Sequence, residues 1–184
     1  MGRVSRTQAQ ENRGRIVRTA ARLFRERGVA GVSVADVMAE AGLTHGGFYK
    51  QFASKEALVA EAVGQAFAEQ AEGFTASASR TAFIDAYLSP EHRDSPGIGC
   101  PSAGFGGDLA REKSENPAKL AYAEGVEHYA CWLGPDGRED LAAVSTLIGA
   151  IVLARATAGT DLSDRILAAA RAALLRPGAE TRAA

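Results

Sequence analysis

The sequence predicts an all-α protein with a small helix-turn-helix head and a larger helical body. Three observations predict it. Apolar residues recur at helical spacing along most of the 184 residues, no stretch alternates convincingly with period two, and turn signals such as Gly134-Pro135-Asp136-Gly137 separate the periodic runs. Hydrophobic residues make up 46% of the chain, enough for a real core, and the length holds one ordinary domain or two small ones. No run reaches the roughly 18 apolar residues of a membrane span.

The first dozen residues are polar and basic, without the apolar segment of a secretory signal, and read as a flexible arm. Ile16, Ala20, Leu23 and Phe24 then mark a helix from Arg13 to Arg27, ended by Gly28. Ser33 is placed to cap a short helix carrying Val34, Val37 and Met38, which Gly42 breaks. Thr44 precedes a helix of about two turns, His45 to Phe52, and Ser54 caps a long one from Lys55 to about Phe74. Further helices are expected at Thr81 to Leu88, Ser102 to Lys113, Pro117 to Leu133, Arg138 to Ala158 and Leu162 to Leu175. Pro90, Pro96 and two glycines make Ser89 to Gly99 a loop.

Charge divides the chain unevenly. Through Ala53 nine Lys and Arg face four Asp and Glu, whereas beyond it twelve face eighteen, which reduces the net charge to −1. A basic head on an acidic body points to a polyanionic partner for the head. Two cysteines, Cys100 and Cys131, are too few for a disulfide framework and fit a reducing cytoplasm. Cys100, His92 and His128 lack a recognisable catalytic context, so no enzymatic activity is expected. Glu124, His128 and Cys131 share a helical face but lack a fourth ligand, so no metal or other cofactor is expected.

Two short helices around a glycine turn form a helix-turn-helix, with Val34, Val37, Met38 and Leu43 packed on Phe48 and Phe52. The outward face then offers Thr44, His45, Gly47, Tyr49 and Lys50 to the major groove of double-stranded DNA. Gly46 and Gly47 each cost about 1 kcal/mol in a helix relative to Ala, which is easier to explain if backbone must approach DNA. Simple helical packing is the alternative.

At these residues the run Val37 to Leu58, VMAEAGLTHGGFYKQFASKEAL, resembles the signature of the TetR/AcrR family of bacterial repressors. Ala41, Gly42, Leu43, Thr44, Gly46, Tyr49, Phe52, Ser54, Lys55, Glu56 and Leu58 fall in register with it. The resemblance implies a DNA-binding head at 1–53 and an effector-binding, dimerising body at 54–184. His45, Gly47, Lys50 and Gln51 depart from common family residues, so the operator sequence does not transfer. By their chemistry, Ser33, Thr44, Tyr49 and Lys55 suit phosphate oxygens, and His45 and Lys50 suit base edges. Gln51 is a further base-reading candidate, and Arg3 and Arg6 could enter the minor groove.

In the body, an aromatic-walled effector pocket is expected from Phe67, Phe74, Phe83, Tyr87, Phe105, Tyr122, Tyr129 and Trp132, together with Cys100. Apolar stripes carrying Leu141, Val144, Ile148 and Ile151, and Ile166, Ala170 and Leu174, form the expected homodimer interface, with ordinary core packing as the alternative. Cys100 precedes Pro101 and so should cap a helix, where free N–H groups could favour a reactive thiolate. The resemblance implies a homodimeric repressor released from a palindromic operator by a small-molecule effector. Similar Gly-Cys-Pro stretches in some family members imply a second reading, thiol-gated release from DNA through Cys100. A ligand-independent DNA-binding protein is the remaining competitor.

Overall fold

The computed structural model describes residues 6–176, and among them every regular element is helical. Nine α-helices follow in order: α1 Arg6–Arg27, α2 Val34–Glu40, α3 Lys55–Ala76, α4 Arg80–Tyr87, α5 Pro90–Asp94, α6 Pro101–Ala110, α7 Pro117–Leu133, α8 Leu141–Ala156 and α9 Asp161–Leu174. Short 3-10 segments at His45–Lys50, Pro96–Ile98 and Pro135–Gly137 link them.

Local chemistry explains the boundaries. Gly28 and Gly42 sit at φ +74° and +67°, left-handed conformations that glycine adopts without strain, so α1 and α2 stop there. Ser33 and Asp36 form a reciprocal capping box on α2, with Ser33 Oγ accepting from the Asp36 N–H at 3.1 Å and Asp36 Oδ2 from the Ser33 N–H at 2.8 Å. Ser54, Ser79, Ser89, Asn116 and Asp140 cap α3, α4, α5, α7 and α8 through their side-chain oxygens.

Three expectations change. The segment read as an arm is helical from Arg6, where polar residues of good helix propensity extend α1, while Arg3 lies outside the described residues. The stretch 89–99 is not a plain loop. Ser89 and Pro90 start α5, and Pro96 starts a 3-10 turn, because proline presets a helical φ at the first position. The second helix of the pair is a 3-10 helix ending at Lys50 rather than an α-helix to Phe52, a tighter winding suited to a short run containing Gly46 and Gly47.

Two apolar clusters form the interior. The lower one joins Phe24, Met38, Phe48 and Phe52 of the head to Leu58, Val63 and Ala66 of α3, Phe105 of α6 and Ala118 of α7. The upper one gathers Phe74, Ile84, Tyr87, Tyr129, Leu147 and Ile151 from α3, α4, α7 and α8. Polar ties fasten the head to the body. Asp108 on α6 accepts from the Val29 N–H at 2.8 Å, and Arg25 reaches from α1 to the Gly99 carbonyl at 3.1 Å and to Glu69 on α3 at 2.7 Å.

Candidate nucleic-acid interface and effector cleft

The face of the head is built around two stacked rings. Phe48 and Phe52 lie 5.4 Å apart in the lower core, and the Arg13 guanidinium covers Phe52 at 4.2 Å. Arg13 also donates to the Gln51 carbonyl and to Glu61, so it binds the end of the 3-10 helix to α1 and α3. With the phenylalanines turned in, Thr44, His45, Tyr49 and Lys50 turn out and are exposed. Tyr49 is 67% exposed although its ring rests edge-on against Phe48 at 5.2 Å and His45 at 6.0 Å. Thr44 makes no capping bond with its hydroxyl.

The two glycines of this helix have no packing reason to be glycine. A methyl group at Gly46 would meet nothing within 4 Å, and at Gly47 its nearest neighbour would be Met38 Cε at 3.5 Å, an ordinary contact.

Two of the expected phosphate contacts have other work in the fold. The Ser33 hydroxyl is engaged in the capping box and donates to Asp36 Oδ2 at 2.6 Å. Its hydrogen bonds hold the Asp36 carboxyl below the usual carboxylate range. Lys55 turns back over Phe24 and donates from Nζ to the Val29 carbonyl at 2.6 Å. It thereby braces the loop between α1 and α2. Gln51 is half-buried, with its carbonyl held by Arg13.

The expected single aromatic pocket is not present, because the aromatics divide between the two cores. Phe67 and Tyr122 pair at 5.8 Å beside Phe105 in the lower cluster. Trp132 stacks on Phe74 at 4.3 Å in the upper one, with Phe83 and Tyr129 around them. Phe105 and Tyr129 are fully buried. What opens instead is a cleft of about 290 Å³ between α3, α4 and the 96–100 segment. Phe83, Tyr87 and Cys100 line it, joined by Arg25, Glu69, Gln70, Gly73, His92 and Ile98. The polar residues of this wall lacked a periodic signal in the sequence. Gln70 and Gly73, three apart and so on one face of α3, were the available hint.

His92 organises the inner wall. Nδ1 donates to the Tyr87 carbonyl at 2.7 Å, and Nε2 accepts from the Cys100 N–H at 3.0 Å, which fixes a neutral tautomer. Burial pushes its pKa down to about 4. Cys100 is the N-cap of α6 as expected, but its sulfur makes no capping bond and accepts from Gln70 Nε2 at 3.7 Å. The expected contact between thiolate and helix N-terminus is therefore absent, because Sγ points toward α3.

The expected dimer stripe is also partly redirected. Val144 and Ile151 are buried against the upper core of their own subunit, because α8 is apolar all round and one of its sides packs inward. Leu141, Val152, Leu153 and Leu162 are the large apolar residues left exposed on α8 and α9. Ile148, Ile166, Ala170 and Leu174 are half-buried at the margin. Among the described residues, no group of three or more His, Cys, Asp or Glu that could hold a metal occurs, and no helix is long and apolar enough to cross a membrane.

These features define a helix-turn-helix head on a helical body. Residues 16–62 match the bacterial regulatory proteins, tetR family. A TetR transcriptional regulator from Chloroflexus aurantiacus is 25% identical with a TM-score of 0.67, covering 91% of this chain and 94% of that one. The reduced form of Escherichia coli NemR shares the fold with a TM-score of 0.70 at 18% identity, over 90% of this chain and 95% of its own. The HTH-type transcriptional regulator TtgR of Pseudomonas putida is 42% identical over 59 residues, 32% of this chain. The uncharacterized HTH-type transcriptional regulator YerO of Bacillus subtilis is 40% identical over 52 residues, 28% of this chain. These matched segments span 28% and 18% of the two curated relatives' own length.

Proposed function

We propose that this protein is a transcriptional regulator that binds an operator in double-stranded DNA as a homodimer and is released by a small molecule held in the body. The observation that carries the reading is the outward face of the 3-10 helix. It combines exposed Thr44, His45, Tyr49 and Lys50 with two glycines that nothing inside the protein requires. A bare backbone lets the element approach phosphates and base edges closely, and Tyr49 is held ready by Phe48.

One such head makes few contacts, so affinity calls for two heads on a palindrome. The exposed apolar residues of α8 and α9 support pairing there, with Leu141, Val152 and Leu162 in the seam. The cleft favours a sensor over a ligand-independent DNA-binding protein. It touches Arg25, whose other bonds reach α1 and Gly99, so an occupant could shift the head.

Fluorescence anisotropy with duplex fragments from the protein's own promoter tests the reading. Binding should be specific, two chains per site, and weaken steeply with salt. Equal affinity for every duplex, or none for any, would refute it.

A further inference from the structure

The cleft described above has an uneven supply of hydrogen-bonding groups. Most of its strong donors are already engaged within the protein. Arg25 donates from Nε to the Ala21 carbonyl, from Nη1 to the Gly99 carbonyl and from Nη2 to Glu69. Gln70 Nε2 is turned to Cys100, the Ser77 hydroxyl donates to the Gly73 carbonyl, and His92 Nδ1 donates to the Tyr87 carbonyl. Left over are Gln70 Oε1, an acceptor, and the Tyr87 hydroxyl, both buried and neither in a well-formed hydrogen bond, the hydroxyl lying against the Cys100 sulfur and the equally unsatisfied Tyr129 hydroxyl. The two side chains flank the Cys100 sulfur at the inner end of the cleft. An unpaired buried polar atom costs about 1–3 kcal/mol, so a ligand that pairs both atoms gains what the empty protein forgoes.

Charge narrows the ligand further. Arg25 and Glu69 are the charged residues lining the cleft, and they are paired with each other at 2.7 Å. An anion would meet Glu69, a cation would meet Arg25, and each would disturb that bridge. His92 is neutral, and burial raises the Tyr87 hydroxyl well above its usual range, so neither adds charge near neutral pH. Phe83, the Tyr87 ring and the 81% exposed Ile98 give the rest of the wall an apolar surface for a flat body.

We infer that the cleft takes a small, neutral, planar aromatic molecule bearing a hydroxyl, which donates to Gln70 Oε1 and accepts from the Tyr87 hydroxyl. The inference rests on this cleft being the effector site. At about 290 Å³ the volume suits one or two fused rings.

Calorimetry on the full chain, without DNA, with four compounds of one shape tests it: 2-naphthol, 2-methoxynaphthalene, 2-naphthoate and 2-naphthylmethylamine. 2-Naphthol should bind once per chain. The methyl ether, which has lost the donor, should bind about tenfold more weakly or worse, and the two ions should be weaker than the naphthol. Gln70→Leu removes an unpaired polar atom and should fold normally while erasing the preference for the naphthol over its ether. Gly73 has open space around it, so Gly73→Leu should fill the cleft and abolish binding of both.

Equal affinity for naphthol and ether, tighter binding of either ion, no binding by any probe, or a preference that survives Gln70→Leu would each overturn the inference. Promoter release is read separately by anisotropy. If the naphthol binds in the expected pattern and the protein stays on DNA, the ligand class stands and the effector role fails.

Discussion

Arg25 on α1 donates to the Glu69 carboxylate on α3 at 2.7 Å with its own side chain only 3% exposed. The same guanidinium holds the Gly99 carbonyl one residue before the α6 cap, so three elements meet on one cation. Replacing Arg25 by Met removes the cation and leaves the Gly99 carbonyl and Glu69 without their partner. Since Glu69 is partly solvated, the expected loss is about 2–3 kcal/mol, at or below the lower end for buried pairs. Urea unfolding measures it, and an unchanged midpoint would show the bridge to be ornamental.

The glycines separate fold from function. Gly42→Ala forces a side chain into the left-handed region and should destabilise the protein by roughly 1–2 kcal/mol. Gly46→Ala meets open space and should stabilise it by up to about 1 kcal/mol, yet weaken operator binding by bringing a methyl group to the DNA. Thermal unfolding together with anisotropy resolves the two effects. A stabilised variant with full affinity would remove the close-approach role.

Side chains on the outward face should sort by what they touch. Tyr49→Phe loses one phosphate hydrogen bond and should weaken all sequences roughly two- to tenfold. Lys50→Ala should lower affinity and change which operator bases are preferred, and His45→Ala should change the preferred operator. Lys55→Ala should mainly lower stability, because its ammonium supports the Val29 carbonyl. Competition binding over a randomised duplex library distinguishes these outcomes. A changed sequence preference in Lys55→Ala alone would reverse the assignment.

His92 makes stability depend on pH. Folded, it takes up a proton near pH 4, whereas in the unfolded chain it does so near its ordinary 6.5. As pH falls between those values the unfolded state binds the proton first, so stability is full above 6.5 and is lost toward 4, by roughly 3 kcal/mol in total. A charged His92 can also no longer accept from the Cys100 N–H. In His92→Gln that share of the pH dependence should vanish from melting curves recorded between pH 7 and 4.5. An identical slope in both proteins would assign the effect elsewhere.

Cys131 is the more accessible of the two thiols, and Cys100 is 3% exposed. Iodoacetamide labelling followed by mass spectrometry should modify Cys131 first and Cys100 only on a slower, opening-limited time course. Faster labelling at Cys100 would revive thiol gating.

The helical head was legible because its signals are local. Gly28, Ser33, Gly42 and Ser54 each act on the few residues beside them, and Phe48 and Phe52 had to face inward once the helices were placed. The cleft was not legible, because it depends on contacts across long sequence distance. Arg25 meets Gly99 across 74 residues, and Gln70 meets Cys100 across 30. Aromatic content alone suggested one pocket, whereas packing placed Phe67 and Tyr122 in one core and Phe83 and Trp132 in the other. The winding of the recognition segment was missed for a different reason. Period counting does not distinguish a two-turn α-helix from a 3-10 helix of similar length.

The lower apolar cluster does not stop where the recognition segment ends. Leu58, Val63, Phe105 and Ala118 complete the interior that Phe24 and Phe48 begin. A fragment cut after Ala53 would carry the reading surface on a half-built foundation. A displacement of α6 or of the start of α3 therefore meets the outward face through shared hydrocarbon as well as through the Asp108 and Arg25 ties.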